Sequence, residues 1–239
     1  MKKRFDLDHV PVLSTGSGKL KGYFYKGEYI YKGVPYAKAE RFHAPVPYKW
    51  DGVWEATSYG YVCPLMDKDK PNGELLVPHR YWVQDEQCQN LNIWTKEIDP
   101  EGDKNLKKPV LVWLHGGGYF AGSAIEQAAY DGFNLCRRGD VVVVSINHRL
   151  NILGYLDLSA YGEEYKNSAN AGHADMLMAL KWIHENIHLF GGDPDNVTLF
   201  GQSGGGAKII DLMQIPQAAG YFHKGMIMSC VRYHSDSPK

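Results

Sequence analysis

Residues 196–205 run a short apolar strand straight into a turn crowded with glycine, Gly201-Gln202-Ser203-Gly204-Gly205, and few architectures accept such a junction. A strand that turns this sharply into a helix brings backbone against backbone. Side chains at Gly201 or Gly205 would collide with their surroundings, and Gly206 leaves further room for close packing at the start of the helix. The one side chain held out at the bend belongs to Ser203. A serine hydroxyl becomes a nucleophile only when it is exposed, given a base and faced with donors for an oxyanion, and Gly-x-Ser-x-Gly after a strand meets the first condition. By itself the pattern also fits an ordinary glycine-rich turn.

The upstream sequence supplies a second half. Residues 110–114 form an uninterrupted apolar run that ends in His115-Gly116-Gly117-Gly118, and residues 141–146 form another. A helical stretch near residues 126–137 lies between them. Continuous Val, Leu and Ile strands separated by helices require a parallel sheet covered on both faces. Consecutive glycines at the exit of such a strand leave backbone N–H groups uncovered, and ligands gather at that end of open α/β sheets. With the N–H of Gly204, those of Gly117 and Gly118 complete a three-donor oxyanion hole. A helix is expected from about residue 174 to 190, with Met176, Leu180, Ile183, Ile187 and Phe190 on one face and Gly191-Gly192 ending it. A helix to about residue 213 and a short strand at 226–230 follow the serine. Residues 11–37 read as antiparallel hairpins, with one strand at 19–25 and a second at 28–32. Residues 38–90 read as a long irregular excursion. The chain is therefore expected to be α/β, one domain over residues 1–239.

Bulk properties exclude several function classes. The chain has 239 residues, 44% hydrophobic, enough for a real core, and its net charge of −1 with scattered Lys and Arg gives no footprint for nucleic acid. No apolar stretch is long enough to span a membrane, and the basic N-terminus has no apolar run behind it, so a cytoplasmic location is expected. No cofactor motif is present. Four cysteines in a chain this long are not a disulfide scaffold; Cys63 and Cys88 could pair across a loop, while Cys136 and Cys230 sit in apolar surroundings that predict buried thiols.

At this point the chain resembles the type-B carboxylesterases, the cholinesterase-like branch of the α/β-hydrolases, over about residues 22–229. The resemblance is carried by Gly33-Val34-Pro35-Tyr36-Ala37, Arg41-Phe42, Asp85-Glu86-Gln87-Cys88, Leu91-Asn92-Ile93-Trp94, the His-Gly-Gly-Gly turn, residues 147–156 and 190–194, and the serine turn. It implies an α/β-hydrolase fold with a mostly parallel sheet and N-terminal antiparallel hairpins. It also implies Ser203 as the acylated nucleophile, Gly117, Gly118 and Gly204 as oxyanion donors, a small-molecule ester as substrate, and Cys63 with Cys88 in the places of a loop-closing disulfide. Where the family usually has Glu and Ala on either side of the serine, this chain has Gln202 and Gly204.

The larger departure is length. In this fold the triad runs in chain order Ser, then Asp or Glu, then His, and only residues 204–239 follow Ser203. His223 and His234, the histidines of that tail, sit in nothing like the family's histidine loop. The expectation is an N-terminal portion of an esterase, truncated after the strand that follows the nucleophile helix. It would have an unpaired sheet edge and weak or no hydrolysis of its own, and the missing C-terminal portion would be its natural partner. Two rival readings remain. His184-Glu185-x-x-His188 matches the zinc-hydrolase pattern on a helix, but the position for a third ligand is Pro194, so no metal is expected. A non-catalytic binding protein could keep the fold without the chemistry, although such a protein would have little use for Ser203 in its glycine turn.

Overall fold

The computed structural model describes residues 5–65 and 79–230. Its strands are β1 (Phe5–Asp6), β2 (Leu13–Thr15), β3 (Gly18–Lys21), β4 (Tyr23–Tyr25), β5 (Glu28–Pro35), β6 (Ala37–Lys38), β7 (Val46–Pro47), β8 (Val53–Glu55), β9 (Asn90–Thr95), β10 (Lys108–Leu114), β11 (Val142–Ile146), β12 (Gly192–Gln202) and β13 (Lys224–Met228). The α-helices are α1 (Phe133–Gly139), α2 (Asn151–Tyr155), α3 (Ala171–Asn186) and α4 (Gly204–Leu212).

Eight strands form one mixed sheet in the order β1-β4-β5-β9-β11-β10-β12-β13. From β1 to β11 neighbours are antiparallel, and from β11 through β10 and β12 to β13 they are parallel. The apolar runs read from the sequence are the parallel half. Val112 pairs in register with Val144 on one side and Leu199 on the other, so three buried aliphatic side chains line up across the sheet. Met176, Leu180, Ile183 and Ile187 pack from α3 and its 3-10 extension, and Ile209 and Leu212 from α4. Each fully buried side chain of this kind contributes roughly 1.5–3 kcal/mol. The predicted face of the long helix is therefore its buried face. The helix itself ends at Asn186, and a 3-10 turn, Ile187–Phe190, leads to Gly191, which is left-handed at φ 74°.

Three expectations change. The single strand expected at residues 19–25 is two, because the chain kinks at Gly22 and β3 and β4 enter different sheets. A Cβ on Gly22 would lie 2.3 Å from the carbonyl oxygen of Ile30, so the crossing needs glycine. The helical stretch at 126–137 is a 3-10 turn, Ala128–Tyr130, followed by α1, whose entry is fixed by the Phe133 N–H donating to Asp131 Oδ1 at 3.0 Å. The irregular excursion, part of which (66–78) lies outside the described residues, leads directly into β9. That strand is buried along its whole length between β5 and β11. Its Asn90, Asn92 and Thr95 are polar and interrupt the apolar signal, yet each is bonded inside; the Asn92 amide, for example, donates to Ser145 Oγ at 3.1 Å.

One buried ion pair ties the layers together. Arg149, just after β11, is 2% exposed and meets the fully buried Asp175 of α3 through Nε at 2.8 Å and Nη2 at 2.7 Å. Its Nη1 also donates to the carbonyl of His43 at 2.8 Å, which anchors the N-terminal excursion. A planar guanidinium suits this double contact. Replacing one partner leaves the other charged and buried. Arg149→Met is therefore expected to lower the unfolding free energy by about 3–5 kcal/mol in urea titrations, and an Arg149→Met, Asp175→Leu double variant to recover much of it.

Candidate active site

Ser203 sits between the end of β12 and the start of α4 with φ 55° and ψ −122°, a strained backbone for a residue bearing a side chain. Its N–H donates to the carbonyl of Met228 at 2.9 Å, so β13 holds the bend from one side. Ser203 and Gln202 are exposed, whereas Gly204, Gly205 and Gly206 are buried. The reason for glycine is direct. A Cβ on Gly205 would lie 2.0 Å from the carbonyl oxygen of Leu114, and one on Gly204 would lie 2.4 Å from the amide nitrogen of Gly118.

These contacts bring the two glycine turns together. β10 and β12 are parallel neighbours, with Leu114 paired to Gly201, so both strands deliver their turns to the same sheet end. A Cβ on Gly116 would stand 3.7 Å from Ser203 Cβ, so the His-Gly-Gly-Gly turn lies against the serine. Gly117 and Gly118 have φ of 86° and 62°, and the turn closes through the N–H groups of Phe120 and Ala121, both donating to Gly117 O. Among the described residues the amides of Gly117, Gly118 and Gly204 donate to no other group.

Behind the turn lies a buried basic cluster that sequence reading missed. Lys208 on α4 is fully buried, and its Nζ donates to His115 O at 3.0 Å. His115 and His148 are buried too and stack at 5.1 Å with an interplanar angle of 18°. Each ring's Nδ1 faces a carbonyl, Gly116 O at 2.8 Å and Arg149 O at 2.9 Å. A carbonyl only accepts, so Nδ1 carries the proton in both rings and Nε2 is a bare acceptor; neither Nε2 has a partner among the described residues. Burial first, and then the Lys208 charge, hold both imidazoles well below the usual histidine range. Burial also pushes the Lys208 ammonium down to about 7, against the opposing pull of Glu126. The signal in the sequence was a lysine on the apolar side of α4, beside Ile209 and Leu212.

A second polar group stands on the other side of the turn, where Tyr119 OH donates to Asp211 Oδ2 and His173 Nε2 lies 3.1 Å from the same oxygen. Among the described residues no hydrogen bond reaches Ser203 Oγ. His223 lies at the opposite end of the β12–β13 pair, where its N–H donates to Val197 O at 2.8 Å. Val197 is six residues from Ser203 along the strand, about 20 Å at the usual rise. His234 lies outside the described residues.

Cys63 and Cys88 lie in one buried cluster with Leu150 and Leu153, both as free thiols, and a hydrogen bond from Cys88 holds the Cys63 thiol below its ordinary value. Cys136 is buried as expected, while Cys230 is half-buried because β13, just before it, is exposed along most of its length. His184 is on α3 and packs on Tyr221, but His188 falls in the 3-10 turn beyond the helix end. Among the described residues no group of three or more His, Cys, Asp or Glu side chains is placed to hold a metal. No helix among them is long and apolar enough to cross a membrane. An aromatic-walled cavity of about 670 Å³, lined by Trp54, Tyr59, Tyr61 and Trp82, opens elsewhere and includes neither Ser203 nor the glycine turn.

The sequence profile described as "Carboxylesterase family" matches residues 9–236. The para-nitrobenzyl esterase of Bacillus subtilis is 42% identical over 91% of this chain and 43% of its own length, and the phenmedipham hydrolase of Pseudarthrobacter oxydans is 39% identical over 92% and 43%. Among solved structures, an esterase of Clostridium hathewayi described as hydrolysing aliphatic aromatic polyesters superposes with a TM-score of 0.88. It is 59% identical, over 93% of this chain and 44% of that one. The chain thus spans a little under half the length of these two curated relatives.

Two measurements check this geometry. Gly205→Ala should cost about 1–3 kcal/mol of unfolding free energy by forcing two backbones apart. Gly16→Ala, whose Cβ would meet only Asn186 Oδ1 at 3.7 Å, should be near neutral. Lys208 has a folded value near 7, below the ~10.4 of an unfolded lysine, so between those pH values the unfolded chain binds more protons. The stability of the parent relative to Lys208→Met should therefore rise from about pH 7 to about pH 10, measured by urea unfolding at each pH.

Proposed function

This chain belongs to the carboxylesterase family, and on that premise we propose that it carries the nucleophile and oxyanion half of a serine carboxylic ester hydrolase. The observation that supports the reading is the Ser203 backbone at φ 55° on an exposed residue, with the neighbouring Gly204 packed so close to Gly118 that a Cβ there would lie 2.4 Å from its amide nitrogen. Oγ forms a bond to the ester's carbonyl carbon as the carbonyl π pair moves onto oxygen. The N–H groups of Gly117, Gly118 and Gly204 receive that oxyanion. Collapse of the tetrahedral intermediate expels the alcohol and leaves Ser203 acylated, and water then releases the carboxylic acid.

The proton leaving Oγ needs an acceptor, and the two imidazoles behind the turn do not suit the role. His115 and His148 are fully buried, and the free Nε2 of neither one hydrogen-bonds to Ser203 Oγ. We assign the base to an imidazole outside the described residues, in line with the share of the relatives' length that this chain spans. The substrate class is a small-molecule carboxylic ester, and the relatives' names favour esters with aromatic groups. Gln202 places an amide rather than a carboxylate beside the nucleophile, which removes one negative charge from the reacting centre.

A serine-directed phosphonate should modify Ser203 stoichiometrically but slowly and leave Ser203→Ala untouched, read by intact-protein mass spectrometry. With an activated short-chain ester the chain should turn over slowly, through oxyanion donors and binding alone. Rapid turnover abolished in Ser203→Ala would place the base within the chain. Phosphonate carried equally by Ser203→Ala would remove the assignment of the nucleophile.

A further inference from the structure

We propose that Lys208 is the positioning residue of the oxyanion turn: from inside the core its Nζ fixes the carbonyl of His115, and its positive charge favours an anion on the turn's far side. The role rests on the serine-esterase reading above for its consequence in catalysis, but its structural part stands without it.

The geometry is that of a bolt through the base of the turn. His115 is the last residue before the three glycines, and its peptide plane sets the direction in which Gly116, Gly117 and Gly118 leave the strand. That plane is gripped from two sides. Lys208 Nζ donates to its oxygen at 3.0 Å, and the first turn of α4 presses against the same oxygen, which lies 3.0 Å from where a Gly205 Cβ would be. The His115 ring reaches forward to Gly116 O at 2.8 Å, so the next peptide is tied to the same residue. Glycines have no side chains with which to fix their own conformation, and the order of this turn has to come from its anchors.

The chemistry of the surroundings suits a charge rather than a plain donor. Lys208's hydrogen bond goes to a carbonyl, not to a carboxylate. The titratable groups around it are His115 at the end of β10, His148 after β11 and Glu126 beyond the turn; His173 of α3 adds to the field on His148, and Asp211, further along α4, is occupied by Tyr119 and His173. Both neighbouring imidazoles are neutral and turn a bare Nε2 inward, so they tolerate an ammonium without cancelling it. Glu126 also faces the ring of His79, whose Nδ1 lies 3.3 Å from Oε1, so its carboxylate is not devoted to Lys208 alone. A lysine buried this deeply retains its charge only through its surroundings, and it loses the proton near neutrality. A developing oxyanion on the solvent side of the turn would stabilise the charged form. Conversely, the charged form stabilises the oxyanion, because a buried field is weakly screened.

Two measurements on the full chain test this. Backbone ¹⁵N–¹H shifts of Gly116, Gly117 and Gly118, followed from pH 5.5 to 9, should move together with one midpoint near 7 and stay flat in Lys208→Met, an uncharged chain of similar length. If Lys208→Met does not fold, Lys208→Gln serves, since it keeps a donor but never carries charge. Shifts that stay flat in the parent, or a midpoint that persists in the variant, would overturn the proposal. The second readout is the rate of phosphonate attachment to Ser203. The parent should exceed Lys208→Met by about tenfold at pH 6 and by less at pH 9, where the neutral amine still donates to the His115 carbonyl but carries no charge, a smaller effect than removal of a direct donor. A ratio independent of pH would reduce Lys208 to a packing residue and overturn its electrostatic role. Absence of labelling in the parent together with a midpoint near 7 in the glycine amides would count against the esterase reading and leave the positioning role supported.

Discussion

The site depends on one contact between two stretches of main chain. The first turn of α4 lies so close to the exit of β10 that a single Cβ on Gly205 would sit 2.0 Å from the Leu114 oxygen. Because β10 and β12 are parallel neighbours, both strands end at the same edge of the sheet, and the glycine contact then decides how close their turns come. A nucleophile and its anion donors must be within a few ångströms of one point in space. Here the separation of the two turns is set by the absence of side chains at Gly204 and Gly205.

Two buried cations illustrate two ways of placing charge in a core. Arg149 is matched by Asp175, and every part of its guanidinium finds an oxygen, including carbonyls of the N-terminal excursion. That pair holds layers together, with Arg149 opposing the upward push that burial gives the Asp175 carboxyl. Lys208 is matched to a carbonyl and two neutral rings, so its charge is only weakly held. The first arrangement is suited to fixing architecture. The second leaves a group whose charge burial makes easy to lose.

The family context sharpens the meaning of Gln202 and Gly204. In this structure a Cβ at residue 204 would meet Gly118 N at 2.4 Å, so the glycine turn rests directly on the helix start rather than on a methyl group. Gln202, for its part, comes near Gly116 through Oε1, 3.4 Å from where a Cβ would be, as a neutral group. Both departures fall on the same small surface as Lys208's anchor. The wall of this site is thus made of main chain, and its local charge comes from behind. At the far side of the parallel half, β13 is the outermost strand among the described residues, with Met226 and Ile227 exposed.

Much of this was legible in one dimension. Uninterrupted aliphatic runs at 110–114 and 141–146 demanded a covered parallel sheet, and the 3.6-residue spacing from Met176 to Ile187 identified the buried face of α3, because both patterns are local consequences of burying apolar area. The serine turn and the His-Gly-Gly-Gly turn could be read because runs of glycine mark them, although the contacts that demand glycine at 204 and 205 come from another strand and its turn. What the sequence could not reveal were features fixed by contacts between distant residues. β9 hid behind its buried asparagines, which are acceptable only because partners lie close by, Ser145 on the neighbouring strand and the carbonyl of Tyr61 in the preceding loop region. The break at Gly22 depends on the oxygen of Ile30. Lys208 carried no signal of its own, and only the approach of His115 after β10 and His148 after β11 makes a buried amine there intelligible. Local rules fix which elements form; which polar groups the core can hold is decided when those elements meet.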